Sequence, residues 1–104
     1  MDQISTLSEK TGLSRGETQS ALDAVTMIIR RVKPSLTNTE FHHDTRFDAL
    51  GIDSLHLITI LFEIEEYFGI SIVDRNLDDV VSVGEACETV CRLVAEKRLA
   101  EGRA

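Results

Sequence analysis

Residues 47–69 read Phe47-Asp48-Ala49-Leu50-Gly51-Ile52-Asp53-Ser54-Leu55-His56-Leu57-Ile58-Thr59-Ile60-Leu61-Phe62-Glu63-Ile64-Glu65-Glu66-Tyr67-Phe68-Gly69, and the fold turns on this stretch. Gly51 is the natural place for a backbone turn. From Ser54 to Phe68 apolar residues recur at helical spacing, and Gly69 stops the run. At roughly 100° per residue, Leu57, Ile60, Leu61, Ile64 and Phe68 converge on one arc, which predicts the core face of a helix. His56, Thr59, Glu63 and Glu66 gather on the opposite arc and face solvent. Between the two lies a third strip, Leu55, Ile58 and Phe62 bordered by Glu65, that is apolar without belonging to the core arc. Such a strip meets either more of the bundle or a partner, and periodicity alone supports both readings.

Working outward, Ser14 and Glu17 form a Ser-x-x-Glu capping box that opens an earlier helix. Leu22, Val25, Ile29 and Val32, with Ala21 and Ile28 beside them, recur at helical spacing until Pro34 forbids continuation. Arg30, Arg31 and Lys33 crowd its last turn, where positive charge complements the helix dipole. Residues 34–52 then form a long connection carrying Leu36, Phe41, Phe47, Leu50 and Ile52. Connections of this length are uncommon in compact domains and often functional, and these apolar residues predict that it packs across the bundle. After Gly69 a short helix is expected around Leu77–Val80, and a last one opens at the capping pair Ser82 and Glu85. Val83, Ala86, Cys87, Val90 and Val94 line one face of that last helix.

The expected architecture is all-α: a four-helix bundle with one short helix and a long loop between the first two main helices. Residues 14–98 form the domain and 99–104 a tail. Residues 1–13 are polar, with Ile4, Leu7 and Leu13 as scattered anchors, and read as an extension of uncertain order that the fold can lose.

A chain of 104 residues supports a single modest core. No stretch approaches the roughly 20 apolar residues of a membrane span. The start, Met1-Asp2-Gln3-Ile4-Ser5, has neither the positive beginning nor the apolar run of a secretory signal. These features predict a soluble, cytoplasmic monomer. Of the net charge of −7, residues 36–96 concentrate thirteen acids against three bases. So acidic a segment repels phosphate backbones and anionic lipid, which makes nucleic acid and membrane surfaces poor partners and favours basic protein surfaces. The plainer reading of the same charge is solubility. Cys87 and Cys91 stand four apart, a spacing that permits a shared metal but also suits two small hydrophobes in a reducing compartment. His42, His43 and His56 add no ligand spacing, so no metal site is expected. Nothing pairs a nucleophile with a base, so no enzyme is expected either.

Ser54, at the predicted helix start, fits two roles. Its hydroxyl can cap the helix. Alternatively, the unpaired N–H groups and positive dipole end of a first turn would favour a phosphodiester on that oxygen. Asp53 beside it adds a like charge that a mere phosphate site would not want.

The run Phe47 to Leu55, with Asp-Ser-Leu after a Leu-Gly pair, resembles the signature of the acyl carrier proteins. The likeness extends from about residue 20 to 95: Phe47 fits a loop aromatic, and Glu65-Glu66-Tyr67-Phe68-Gly69-Ile70 looks like the acidic end of the family's second helix. Ile72-Val73-Asp74 and the stretch from Val83 onward match its third and fourth helices. The resemblance implies that Ser54 receives 4′-phosphopantetheine from coenzyme A through a Mg²⁺-dependent phosphopantetheinyl transferase. Asp53 would help recruit that transferase, with Leu55 beside the attachment point. It further implies that acyl groups ride on the arm as thioesters, and that the acyl chain withdraws between helices past Ile60, Leu61, Ile64 and Phe68. Acyl-transfer, ketosynthase or related enzymes of fatty acid, specialised lipid or polyketide synthesis would dock on Leu55, Ile58, Phe62, Glu65 and Glu66. A peptidyl or aminoacyl carrier, and an unmodified adaptor of the same fold, are the alternatives. The family is typically acidic just after the serine and again a turn later, where this chain has His56 and Thr59. That departure implies a specialised carrier serving a dedicated synthase, transferase or lipid pathway.

Overall fold

The computed structural model describes residues 3–72 and 80–102. Four α-helices are present among them: α1 (Gln3–Thr11), α2 (Arg15–Val32), α3 (Ser54–Phe68) and α4 (Val83–Glu101). The expected short helix around Leu77–Val80 falls, Val80 apart, outside the described residues. The short helix that is described stands at the other end of the chain.

The capping box at Ser14 forms in full. Ser14 Oγ accepts from the Glu17 amide at 3.1 Å, and the Ser14 amide donates to Glu17 Oε1 at 3.1 Å. The second oxygen of Glu17 meets Arg98, so the same carboxylate ties the start of α2 to the end of α4. Along α2 the buried face is Ala21, Ala24, Val25, Ile28 and Ile29, while Leu22 and Val32 sit at its edge. Ile60, Leu61 and Ile64 of α3 meet it, and Val83, Ala86, Cys87, Val90, Cys91 and Leu93 of α4 complete the centre. Burial pushes the Cys87 thiol up to about 12, with Cys91 adding to the shift, and pushes Cys91 up to about 11.

Residues 3–11 behave differently from a loose extension. They form a helix that packs on α2 and α4, with Leu7 only 1% exposed and Leu13 buried just after it. Gly12, at φ +81°, makes the tight corner that turns Leu13 inward. Lys10 pairs with Glu88 of α4 at 3.7 Å. Two buried leucines in thirteen residues are too sparse to register as a periodic pattern, which is why spacing alone left this segment unassigned. At the far end, α4 continues through the expected tail as far as Glu101.

The long connection crosses the bundle as its apolar residues require. A 3₁₀ turn at Pro34–Leu36 buries Leu36. Arg30 then holds the chain by donating to the Thr39 carbonyl at 2.9 Å and lying 4.7 Å over the Phe41 ring. Further on, the connection runs antiparallel to the start of α4. Val83 N donates to Thr45 O at 2.8 Å, Gly84 N to His43 O at 2.9 Å, and Phe47 N to Val81 O at 3.0 Å. Gly84 is required there: a Cβ would overlap the His43 carbonyl.

Leu7→Ala should lower the stability of the whole domain by about 2–5 kcal/mol in urea unfolding. An unchanged unfolding midpoint would show that α1 only rests on the surface.

Candidate functional site

The site is built from the backbone of Phe47 outward. Its ring is buried in the core and its amide is held by Val81. Its carbonyl accepts from both Leu50 N and Ile52 N at 3.1 Å, closing a 3₁₀ turn over Asp48–Leu50. Gly51 then takes φ +73°, a left-handed conformation that side-chain-bearing residues adopt at a cost. Ile52, buried, anchors the chain on the other side of the turn. The backbone therefore enters α3 from two fixed points, and Asp53 and Ser54 have little freedom in where they stand.

Asp53, not Ser54, caps the helix. Its backbone is extended, and its Oδ1 accepts from the His56 amide at 2.8 Å. The His56 ring follows the same oxygen, with Nδ1 2.9 Å from it. The hydrogen bond from His56 holds the Asp53 carboxyl below the usual carboxylate range, and the charges of His56 and Lys33 add to it. This accounts for an acid beside the serine: it serves the helix start. Ser54 is the first helical residue, exposed, and makes no side-chain hydrogen bond among the described residues. Its hydroxyl opens onto a cleft of about 240 Å³ lined by Arg46, Phe47, Asp48, Ile52, Asp53, Leu57, Val80 and Val81. Arg46 and Asp48 face each other across its lip through bonds of 3.1 and 3.2 Å.

On α3 the two apolar arcs separate as the spacing predicts. Ile60, Leu61 and Ile64 are sealed in the core, while Leu55, Ile58 and Phe62 are 72%, 39% and 53% exposed. No other described element covers the strip. Of the four residues expected to receive an acyl chain, Ile60, Leu61 and Ile64 are buried. Ile60, Leu61 and Ile64 line none of the described clefts, and Phe68 borders a separate one of about 540 Å³ with Leu13, Ala21 and Val94 at the α1 end. Glu65 turns from the strip, its Oε2 accepting from the Ile72 amide at 2.6 Å. Two bases that spacing assigned to the helix dipole also reach beyond α2: Arg31 pairs with Glu63 of α3 at 2.9 Å, and Lys33 lies against Gly51. Only tertiary contact reveals that placement.

An exposed, unbonded hydroxyl at a helix start, beside an open cleft, fits a covalent arm attached through a phosphate. The family model for the phosphopantetheine attachment site matches residues 23–90. Acyl carrier protein 4, chloroplastic, of Cuphea lanceolata is 30% identical over 93 residues, which cover 86% of this chain and 67% of that protein. The chain belongs to the acyl carrier protein family. Family membership brings a covalently attached 4′-phosphopantetheine as prosthetic group. Two further carriers are similar: the mitochondrial acyl carrier protein of Saccharomyces cerevisiae, 33% identical over 75% of this chain and 63% of its own length, and acyl carrier protein 1, chloroplastic, of Hordeum vulgare, 31% identical over 79% and 57%. The chain thus spans 57–67% of the length of these relatives. No solved structure matches it.

These relatives overturn the cytoplasmic expectation, since they are chloroplastic or mitochondrial carriers. The physical reason is simple. Charge and apolar content report that a domain can live in water, and the water of an organelle imposes the same demands. No described helix is long and apolar enough to cross a membrane.

Because Asp53 is the cap, Asp53→Ala should lower the melting temperature while Ser54→Ala leaves it unchanged. The Asp53 carboxyl titrates lower folded than unfolded, so its stabilisation is present above the unfolded carboxyl's pKa and is lost as pH falls through the folded one. Melts of wild type and Asp53→Asn should therefore differ near neutral pH and converge in acid. A Ser54→Ala melt as low as that of Asp53→Ala would show that the serine is the cap.

Proposed function

We propose that Ser54 carries the phosphopantetheine arm and that the chain is a non-catalytic acyl carrier delivering its cargo to enzymes of fatty acid, specialised lipid or polyketide synthesis. The observation that carries this reading is the Ser54 hydroxyl, exposed and unbonded while the neighbouring acid does the capping. The arm supplies a terminal thiol on which acyl groups are held as thioesters.

The rest is work for the chain's own residues. Asp53 fixes the direction of the first turn of α3, and so the direction in which the Ser54 oxygen points. The first-turn amides and the helix dipole favour a negative group on that oxygen. Arg46, though held by Asp48, stands across the cleft as a further cation. Asp53 is also the residue a phosphopantetheinyl transferase would meet first, being exposed and one position before the acceptor. Leu55, Ile58 and Phe62 form the surface on which transferase and acyl-handling enzymes dock, since a partner whose active site takes the arm must sit beside its root. Tethering raises the local concentration of cargo at each docked enzyme, so weak docking suffices. The carrier unit proper is residues 14–98, with α1 as a buttress to it. The compartments of the similar carriers favour an organelle as its place of work.

Co-expression with a phosphopantetheinyl transferase should add one arm to the wild type by intact mass and none to Ser54→Ala. An arm on the alanine variant, or none on the wild type, overturns the reading. Phe62→Ser should weaken transfer to a cognate enzyme by about 2 kcal/mol or more, as loss of an aromatic anchor does. Ile64→Ala, in the core, should instead destabilise by about 2–5 kcal/mol. Thermal melts beside a transfer assay separate the two, and a Phe62→Ser protein as unstable as Ile64→Ala would return the strip to the core.

A further inference from the structure

The cleft beside Ser54 holds a single base among its described lining residues, Arg46, in company with Asp48 and Asp53. The root of that side chain is fixed. Arg46 pairs with Ser82 in an antiparallel bridge, and the next amide, Phe47 N, donates to Val81 O at 3.0 Å. Its head is fixed as well. Nε and Nη2 donate to the two oxygens of Asp48 at 3.1 and 3.2 Å, and Asp48 opens the 3₁₀ turn that leads to the site. Asp48 thus occupies one edge of the guanidinium. The other edge, with both N–H groups of Nη1, has no bond among the described residues. Asp48 and Asp53 remain charged, so this cleft would not gather a free phosphate. A phosphate joined to Ser54 is a different case. Its covalent bond keeps it at the cleft whatever the local charge, and what is left to decide is the direction in which it faces. The two carboxylates repel it, and the open Nη1 edge offers it two donors in one plane.

We infer that Arg46 holds the phosphodiester of the arm through its Nη1 edge, so that in the resting carrier the arm leaves Ser54 over the cleft. The inference rests on Ser54 being the attachment point, and adds the residue that sets the arm's direction. Arg46 is a binding residue for the arm's phosphate, and Asp48, which aims the guanidinium, is a positioning residue. Leu55, Ile58 and Phe62 do not line the cleft. An arm directed this way therefore leaves the apolar strip clear for a partner. The Arg46 side chain is 59% exposed, and an ion contact so open to water is weak. A docked enzyme can draw the arm away from it at little cost.

The test loads the full chain with coenzyme A and a phosphopantetheinyl transferase, checks the added arm by intact mass, and melts the unloaded and loaded forms side by side. Wild type and Arg46→Gln are compared, so that whatever the substitution does to the fold itself cancels between the two forms. Loading should shift the melting temperature of Arg46→Gln downward relative to the same shift in the wild type, by about 2 °C or more at about 50 mM NaCl. The difference should shrink at about 500 mM NaCl, where an exposed contact is screened. Arg92→Gln removes an equal charge from an exposed position of α4 that lines none of the described clefts, and should respond to loading as the wild type does. The phosphorus NMR resonance of the arm should differ between loaded wild type and loaded Arg46→Gln. Equal loading shifts in wild type and Arg46→Gln, an identical phosphorus resonance in the two, or an Arg92→Gln response as large as that of Arg46→Gln overturns the inference and leaves Ser54 as the bearer of the arm. A wild type that takes no arm, or an arm found on Ser54→Ala, overturns the attachment reading and this inference with it.

Discussion

The backbone of Phe47 is the constraint on which the rest depends. One residue gives its ring to the core, its amide to Val81 ahead of α4, and its carbonyl to two amides of the following turn. That set of bonds converts the end of a long connection into a fixed corner. The corner sets the left-handed Gly51, and Gly51 and Ile52 set the angle at which α3 begins. The Ser54 hydroxyl, the proposed acceptor, is exposed at the rim of its cleft and makes no side-chain hydrogen bond among the described residues that would hold it in place. Its geometry comes from behind, through the backbone, and the anchoring to residues 81–84 supplies it.

The two ends of α3 divide the labour. At the start, the Asp53 carboxylate takes the capping role and leaves Ser54 unencumbered. At the finish, Gly69 at φ +67° and the Lys97 ammonium on the Phe68 carbonyl close the helix against α4. Between them the helix is buried along one arc and bare along another. A helix held so firmly at its two ends and its core arc can leave three large apolar side chains in water without losing its position.

How much of this was legible follows from what each feature depends on. The limits of α3, the capping box at Ser14, the cap at Ser82, and the split between core arc and bare strip are local or periodic, and spacing carries them. Asp53 and Ser54 are both capping candidates at the same helix start, and only the hydrogen bond to His56 decides that Asp53 holds the cap. Leu7 and Leu13 carried no period, and their burial depends on where Gly12 turns the chain. Arg31 and Lys33 looked like dipole partners because they are that too; their reach to α3 needs the packing angle of two helices. The acyl pocket fared least clearly, because Ile60, Leu61 and Ile64 answer as well to a closed core as to an opening one. Compartment was not legible at all, since nothing in a water-soluble surface distinguishes one aqueous space from another.

The buried pair on α4 has a consequence for cargo safety. Thioesters exchange with any thiolate within reach, so a molecule that stores acyl groups on sulfur is endangered by sulfurs of its own. Cys87 and Cys91 lie inside the bundle, with thiols whose ionisation burial suppresses far above neutrality. They can neither receive an acyl group by migration nor seal the arm as a mixed disulfide while the helices stay packed. The described part of the chain thereby offers no exposed thiol to compete with the arm's own, and the hydrophobic interior acts as the insulation that keeps the cargo on it.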